Sequence, residues 1–125
     1  MITKRPGRDG KVRVTFAMPA AIWADSIHVV GDFNGWDERA TPLRQTESGW
    51  MVTLELEAGT SYQYRYLFDG SDWQNDWHAD GYVRNRFGGD NSLVITPEFQ
   101  PPEPEYGDER VIPFSRGRRR LVPTG

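Results

Sequence analysis

The chain of 125 residues contains no cysteine. Disulfide staples, thiolate nucleophiles and thiolate metal centres are therefore excluded. No apolar run approaches the roughly 18 residues of a membrane-spanning helix, so no membrane partner is expected. The first residues, Met1-Ile2-Thr3-Lys4-Arg5-Pro6-Gly7, lack the apolar stretch of a secretory leader, which makes a cytoplasmic setting the expectation. Basic excess is missing too. The net charge is -3, opposite in sign to the footprint of a nucleic-acid binder, and neutral ligands remain open. No segment sustains a 3.6-residue period, so helices are not expected. There is no Ser-His-Asp pattern and no phosphate-cradling glycine loop behind a strand. Hydrophobic residues make up only 37%, which suggests one ordered domain with polar ends.

What the sequence has in excess is aromatic. Five Trp stand among 13% aromatic residues, more than a small core can absorb, so some should face solvent. Two composition shifts bracket the domain. Residues 1–10 are polar and carry Gly and Pro, and read as a loose arm. Residues 97–125 hold six of the nine prolines and no Trp. That tail joins an acidic, Pro-rich spacer (Gln100 to Glu105) to a basic cluster (Arg116 to Arg120), and is expected to be disordered.

Between the ends the period is two. Val12, Val14 and Phe16 alternate with Lys11, Arg13 and Thr15. Ile27 and Val29 lead into Val30-Gly31-Asp32. Trp50, Val52, Leu54 and Leu56 alternate with Met51, Thr53 and Glu55, and Trp50 belongs to a core face. Tyr62, Tyr64, Tyr66 and Phe68 alternate with Gln63, Arg65 and Leu67. Leu93 and Ile95 mark a last short strand. Turn signals at Asn34-Gly35, Ser48-Gly49, Ala58-Gly59, Asp69-Gly70 and Gly88-Gly89 separate these runs. Short antiparallel strands at this spacing predict an all-β sandwich of two packed sheets over residues 11–96.

Four segments carry possible chemistry. Gly31-Asp32-Phe33-Asn34-Gly35-Trp36 contains a tight Asn-Gly turn. Phe33 is expected to cover an open end of the sandwich. Trp36, in polar company, is expected to be exposed. Arg65 faces outward from its strand, either as a solvated side chain or as a donor on a rigid platform. Asp69 to His78 holds Trp73 and Trp77 in an otherwise polar run, so at least one indole should be exposed. Asn85 to Ser92 is a glycine-bearing loop with Phe87 at its edge and Asn91 as a paired donor and acceptor. Trp23 is expected to pack near the first bend. Asp72 and Asp76 invite a catalytic test, because glycoside hydrolysis needs two carboxyls about 5–9.5 Å apart with one raised pKa. In a single exposed loop, neither would be buried. Asp72, Asp76, His78 and Asp80 match no metal motif, and neither metal nor cofactor is expected.

In order and spacing, the Gly31–Trp36 motif, Tyr62 to Gly70, Trp73 and Phe87-Gly88-Gly89-Asp90-Asn91-Ser92 resemble the family 48 carbohydrate-binding modules. That group includes the glycogen-binding domain of the AMP-activated protein kinase beta subunit and the N-terminal early-set domains of isoamylases and glycogen branching enzymes. The resemblance implies an immunoglobulin-like, early-set fold and a non-catalytic module for alpha-1,4-linked glucans such as glycogen, starch and maltooligosaccharides. It implies that Trp36 and Trp73 stack on glucose. Arg65 stands where a lysine bonds hydroxyls, Phe87 where a leucine reaches over the sugar, and Asn91 at a hydroxyl-binding asparagine. Trp77 has no counterpart in that pattern, and either extends the platform or packs beneath it. The rival reading is an adapter that docks to a glycogen-metabolising enzyme without binding sugar.

Overall fold

Val12, Val14, Phe16 and Met18 put four buried side chains on one face of strand β2 (Val12–Met18). The computed structural model of the chain describes residues 1–99. β1 (Ile2–Pro6) and β5 (Gly49–Leu56) flank β2, and β4 (Arg44–Thr46) pairs β5, giving an antiparallel sheet in the order β1-β2-β5-β4. The second sheet runs β3 (Ile27–Gly31), β6 (Ser61–Phe68), β9 (Asp90–Ile95) and β8 (Gly81–Arg84). β7 (Asp72–Gln74) pairs the end of β6 beyond the reach of β9. The two sheets pack face to face as the expected all-β sandwich.

The core lies where the inward faces of β2, β5 and β6 meet. Phe16 and Tyr64 meet edge-on at 5.1 Å, and Phe33 closes over Phe16 at 5.3 Å, so Phe33 covers one end of the sandwich as expected. Trp50 is 4% exposed and its indole N–H donates to Ile22 O at 3.2 Å. In β9 the buried face is that of Ser92 and Val94, while Ile95 is half exposed.

Three expectations are corrected. Residues 1–10 do not form a loose arm. Residues 2–6 are a strand in full register with β2, from Ile2 opposite Phe16 to Pro6 opposite Val12. With Ile2 as the only apolar side chain packed on the core, its ladder is held by backbone pairing, which leaves little trace in the sequence pattern. Trp23 does not pack at the bend and is 97% exposed. Its neighbours Ile22 and Ala24 pack on the core instead. The Pro-rich spacer and basic cluster lie outside the described residues.

The third correction is Asp76, which is 1% exposed rather than in an open loop. Its carboxylate accepts from Tyr64 Oη at 2.8 Å, Tyr66 Oη at 3.0 Å, His78 N at 2.9 Å and the Met1 amino group at 2.7 Å. Burial pushes this carboxyl up, but the amino group, the His78 N–H and the Tyr64 hydroxyl outweigh it and hold it below the ordinary carboxylate range. Burial, with the neighbouring carboxylate, pushes both tyrosine hydroxyls well above their ordinary value. The network satisfies polar groups that link the middle of β6 to the β7–β8 connection.

Asp76→Ala strands two buried hydroxyls and should cost about 2–5 kcal/mol in urea unfolding. Because the folded-state pKa is depressed, the carboxylate's contribution is complete above the unfolded Asp range, near about 4, and is lost as pH falls through the folded value. Asp76→Asn should therefore lose less stability than wild type between about pH 6 and about pH 2, measured by urea midpoints. A second prediction concerns Gly31. A Cβ there would stand 2.4 Å from Gln63 O and 2.7 Å from Tyr64 Cβ. Gly31→Ala should force β3 away from β6 and destabilise by about 1–3 kcal/mol in the same assay.

Candidate functional site

Since Tyr62, Tyr64 and Tyr66 of β6 point into the core, Gln63, Arg65 and Leu67 must point out. Pairing extends that outer face sideways. Val30 lies opposite Arg65, Trp73 opposite Leu67, and Asn91 precedes Ser92, which lies opposite inward-facing Tyr64. Antiparallel register thus gathers Arg65, Trp73 and Asn91 on one surface, although they come from three strands.

The Gly31–Trp36 motif builds one rim. Asp32–Asn34 form a 3₁₀ turn, and Asn34 pins it from within. Asn34 Oδ1 accepts from Gly31 N at 3.1 Å, while Nδ2 donates to Val29 O and Thr41 Oγ1, each at 3.0 Å. Gly35 and Trp36 both take left-handed backbone, with φ of 67° and 59°. Such a conformation at a tryptophan costs about 1–3 kcal/mol and persists only where the surroundings enforce it. They do so here: Trp36 N donates to Gly31 O at 2.9 Å, and its indole N–H donates to Asp32 Oδ1 at 2.8 Å. The other oxygen of Asp32 accepts from Gln63 N at 2.7 Å, which ties the indole to β6.

The β8–β9 connection builds the opposite rim. Asn85 Oδ1 accepts from the N–H groups of Phe87 at 2.9 Å and Gly89 at 3.1 Å. Phe87 is left 87% exposed, with the Arg86 guanidinium 5.8 Å from its ring centre. Between the rims lies an open groove of about 710 Å³.

Five of the six residues expected at a binding site line this groove: Trp36, Arg65, Trp73, Phe87 and Asn91. Trp77 does not. It is 68% exposed and follows Asp76, whose side chain turns into the core. Trp77 therefore neither extends the groove's aromatic surface nor packs beneath it. Asp32, Gln63, Asn85 and Arg86 also line the groove and were not singled out by sequence. Gln63 was legible in principle, sharing the face of Arg65 by strict alternation. Asp32 and Asn85 act through hydrogen bonds that no periodicity reveals.

The groove offers aromatic walls, side-chain amides and a guanidinium. Arg65 Nε is buried with no hydrogen-bond partner among the described residues, an unmet donor beneath an open cleft. Among the described residues Asp32 is the only carboxylate lining the groove, and both its oxygens are occupied. Asp76 is on the core side, held by its donors, and neither it nor Asp72 lines the groove. Among the described residues no helix is long and apolar enough to cross a membrane.

Comparison with known proteins points the same way. The family model described as carbohydrate-binding module 48 (isoamylase N-terminal domain) matches residues 6–83, which includes Trp36, Arg65 and Trp73 and stops short of Phe87 and Asn91. Among curated proteins, a 1,4-alpha-glucan branching enzyme of Thiobacillus denitrificans is 36% identical over 87 residues, covering 65% of this chain and 12% of that enzyme. The corresponding enzyme of Butyrivibrio fibrisolvens is 36% identical over 67 residues, covering 50% of this chain and 10% of its own length. One from Xanthomonas euvesicatoria is 49% identical over 49 residues, or 35% of this chain and 7% of the enzyme. The chain thus spans about a tenth of the length of these relatives. With a family match over more than half its length on a two-sheet sandwich, the chain belongs to the carbohydrate-binding module 48 (isoamylase N-terminal domain) family.

Proposed function

We propose that this domain binds alpha-1,4-linked glucans in the Trp36–Trp73 groove and carries out no chemistry of its own. The observation that carries the reading is the convergence of two partly exposed indoles, Arg65, Phe87 and Asn91 on one groove. A pyranose ring has an apolar face of C–H bonds and a rim of hydroxyls. An indole desolvates the first, while amides and a guanidinium bond the second. The Arg65 guanidinium supports this, since it lines the groove and carries donors for hydroxyl oxygens. Two indoles on separate elements, one on the 3₁₀ turn rim and one on β7, suit a curved glucan chain better than a flat one.

The relatives are named as branching enzymes of 1,4-alpha-glucan, which favours that polymer class as ligand and a glycogen-metabolising enzyme as partner. Stacking and hydroxyl bonds are each modest, so affinity should lie on the order of micromolar to millimolar.

Affinity electrophoresis in glycogen-containing gels tests the reading. Wild type should be retarded. Trp36→Ala and Trp73→Ala should each weaken binding by roughly tenfold or more with little change in thermal midpoint, as both rings are partly solvent-facing. Trp77→Ala should stay within roughly twofold of wild type. A wild-type protein that ignores glycogen, maltoheptaose and cyclodextrin alike overturns the proposal.

A further inference from the structure

Gln63 sits where the two rims of the groove meet. Its backbone N–H donates to Asp32 on the Trp36 side. Its side-chain Oε1 accepts from Asn91 Nδ2 at 3.1 Å on the Phe87 side. Asn91 Oδ1 accepts in turn from Asn85 Nδ2 at 3.2 Å.

The direction of this row of amides follows from its far end. The Phe87 and Gly89 backbone groups are donors, so Asn85 must turn Oδ1 toward them. Its Nδ2 is then left to face Asn91, which must answer with Oδ1. Asn91 therefore presents Nδ2 to Gln63, and Gln63 must answer with Oε1. Each step leaves no choice of amide flip. The outcome is that Gln63 Nε2, carrying two N–H donors, has no protein partner among the described residues. It is not among the fully buried unpaired atoms, and Gln63 itself lines the groove. Arg65 follows two residues later on the same face, about 7 Å along the strand. Gln63 and Arg65 thus line the groove floor with unmet donors between the two rims.

We propose that Gln63 is a further glucan-contacting residue, its Nε2–H donating to a sugar hydroxyl, and that Asn85 and Asn91 are positioning residues that aim it. The inference rests on the glucan-binding reading of the groove. It also alters the part played by Asn91, which commits one donor and one acceptor to its neighbours. The loop that exposes Phe87 thereby also orients a donor on the floor.

The test is calorimetric titration of maltoheptaose into wild type, Gln63→Glu and Gln63→Met. Gln63→Glu keeps an oxygen for Asn91 but loses the donors, and Gln63→Met keeps the bulk and loses both. Both should bind roughly tenfold more weakly, with thermal midpoints unchanged. Lowering the pH from about 7 to about 4.5 begins to protonate the introduced carboxyl and returns an O–H donor. The affinity of Gln63→Glu relative to wild type should then rise, while that of Gln63→Met stays flat. Asp32 from the 3₁₀ turn, Arg65 from β6 and Arg86 from the β8–β9 connection face this position in all three proteins. Gln63→Met keeps these groups without the introduced carboxyl, so its affinity over the same pH range is the control. Wild-type affinity in both variants overturns the proposal. So does a loss confined to Gln63→Glu with no recovery at low pH, which would mark charge repulsion rather than a missing donor. A loss accompanied by a lowered thermal midpoint assigns Gln63 a structural role and also overturns it. Failure of wild type to bind any alpha-glucan removes the parent reading instead, and the two failures are distinguishable.

Discussion

Successive side chains of a strand must point to opposite faces, and β6 puts both faces to use. Its inward tyrosines fill the sandwich and anchor on Asp76 through two hydroxyls. Its outward Gln63 and Arg65 form the floor of the groove. Core and site are thus two sides of one strand. A slip of one residue in its register would put Arg65 in the core and Tyr64 in solvent, so correct folding and correct presentation are the same event. The Asp76 network makes that register costly to lose, since a slipped strand takes both hydroxyls away from their shared acceptor.

The neighbouring strand adds a second constraint. Gly31 approaches β6 too closely for any side chain. That approach carries the chain into a tight turn directly over Gln63, where the Asp32 carboxylate can hold the Trp36 indole and the Gln63 backbone at once. The left-handed backbone at Trp36 is strain that several hydrogen bonds sustain. Preformed in this way, the ring needs little further ordering to meet a ligand, which matters where each contact contributes modestly.

Much of this was legible in the sequence, for a physical reason. Period-two alternation reports directly on which face is buried, so β2, β5 and β6 and the burial of Trp50 were all readable. The resemblance to a known family then brought Trp36, Arg65, Trp73, Phe87 and Asn91 together, and the structure places those five on one groove. What escaped is what alternation does not encode. β1 is held by backbone pairing with a single apolar anchor, Ile2. Asp76 looks like any loop aspartate until three chain segments converge on it. Asn85 and Asp32 work through hydrogen bonds whose partners lie up to 31 residues away.

The five tryptophans show why exposure alone is a poor guide to a site. Trp23 and Trp77 are the most exposed of them, at 97% and 68%. Each is turned outward because its neighbours turn inward: Ile22 and Ala24 in one case, Asp76 in the other. Neither lines the groove. Trp36 and Trp73 are partly covered, and the covering is what fixes them: a carboxylate on the first indole, a sheet register for the second. A ring free on all sides offsets every contact with its own loss of motion. A ring already fastened along one edge keeps its open face in a set direction. On the proposed glucan-binding reading, with weak, repeated contacts to a flexible polymer, that difference in preorganisation separates a binding surface from an aromatic side chain that is merely wet.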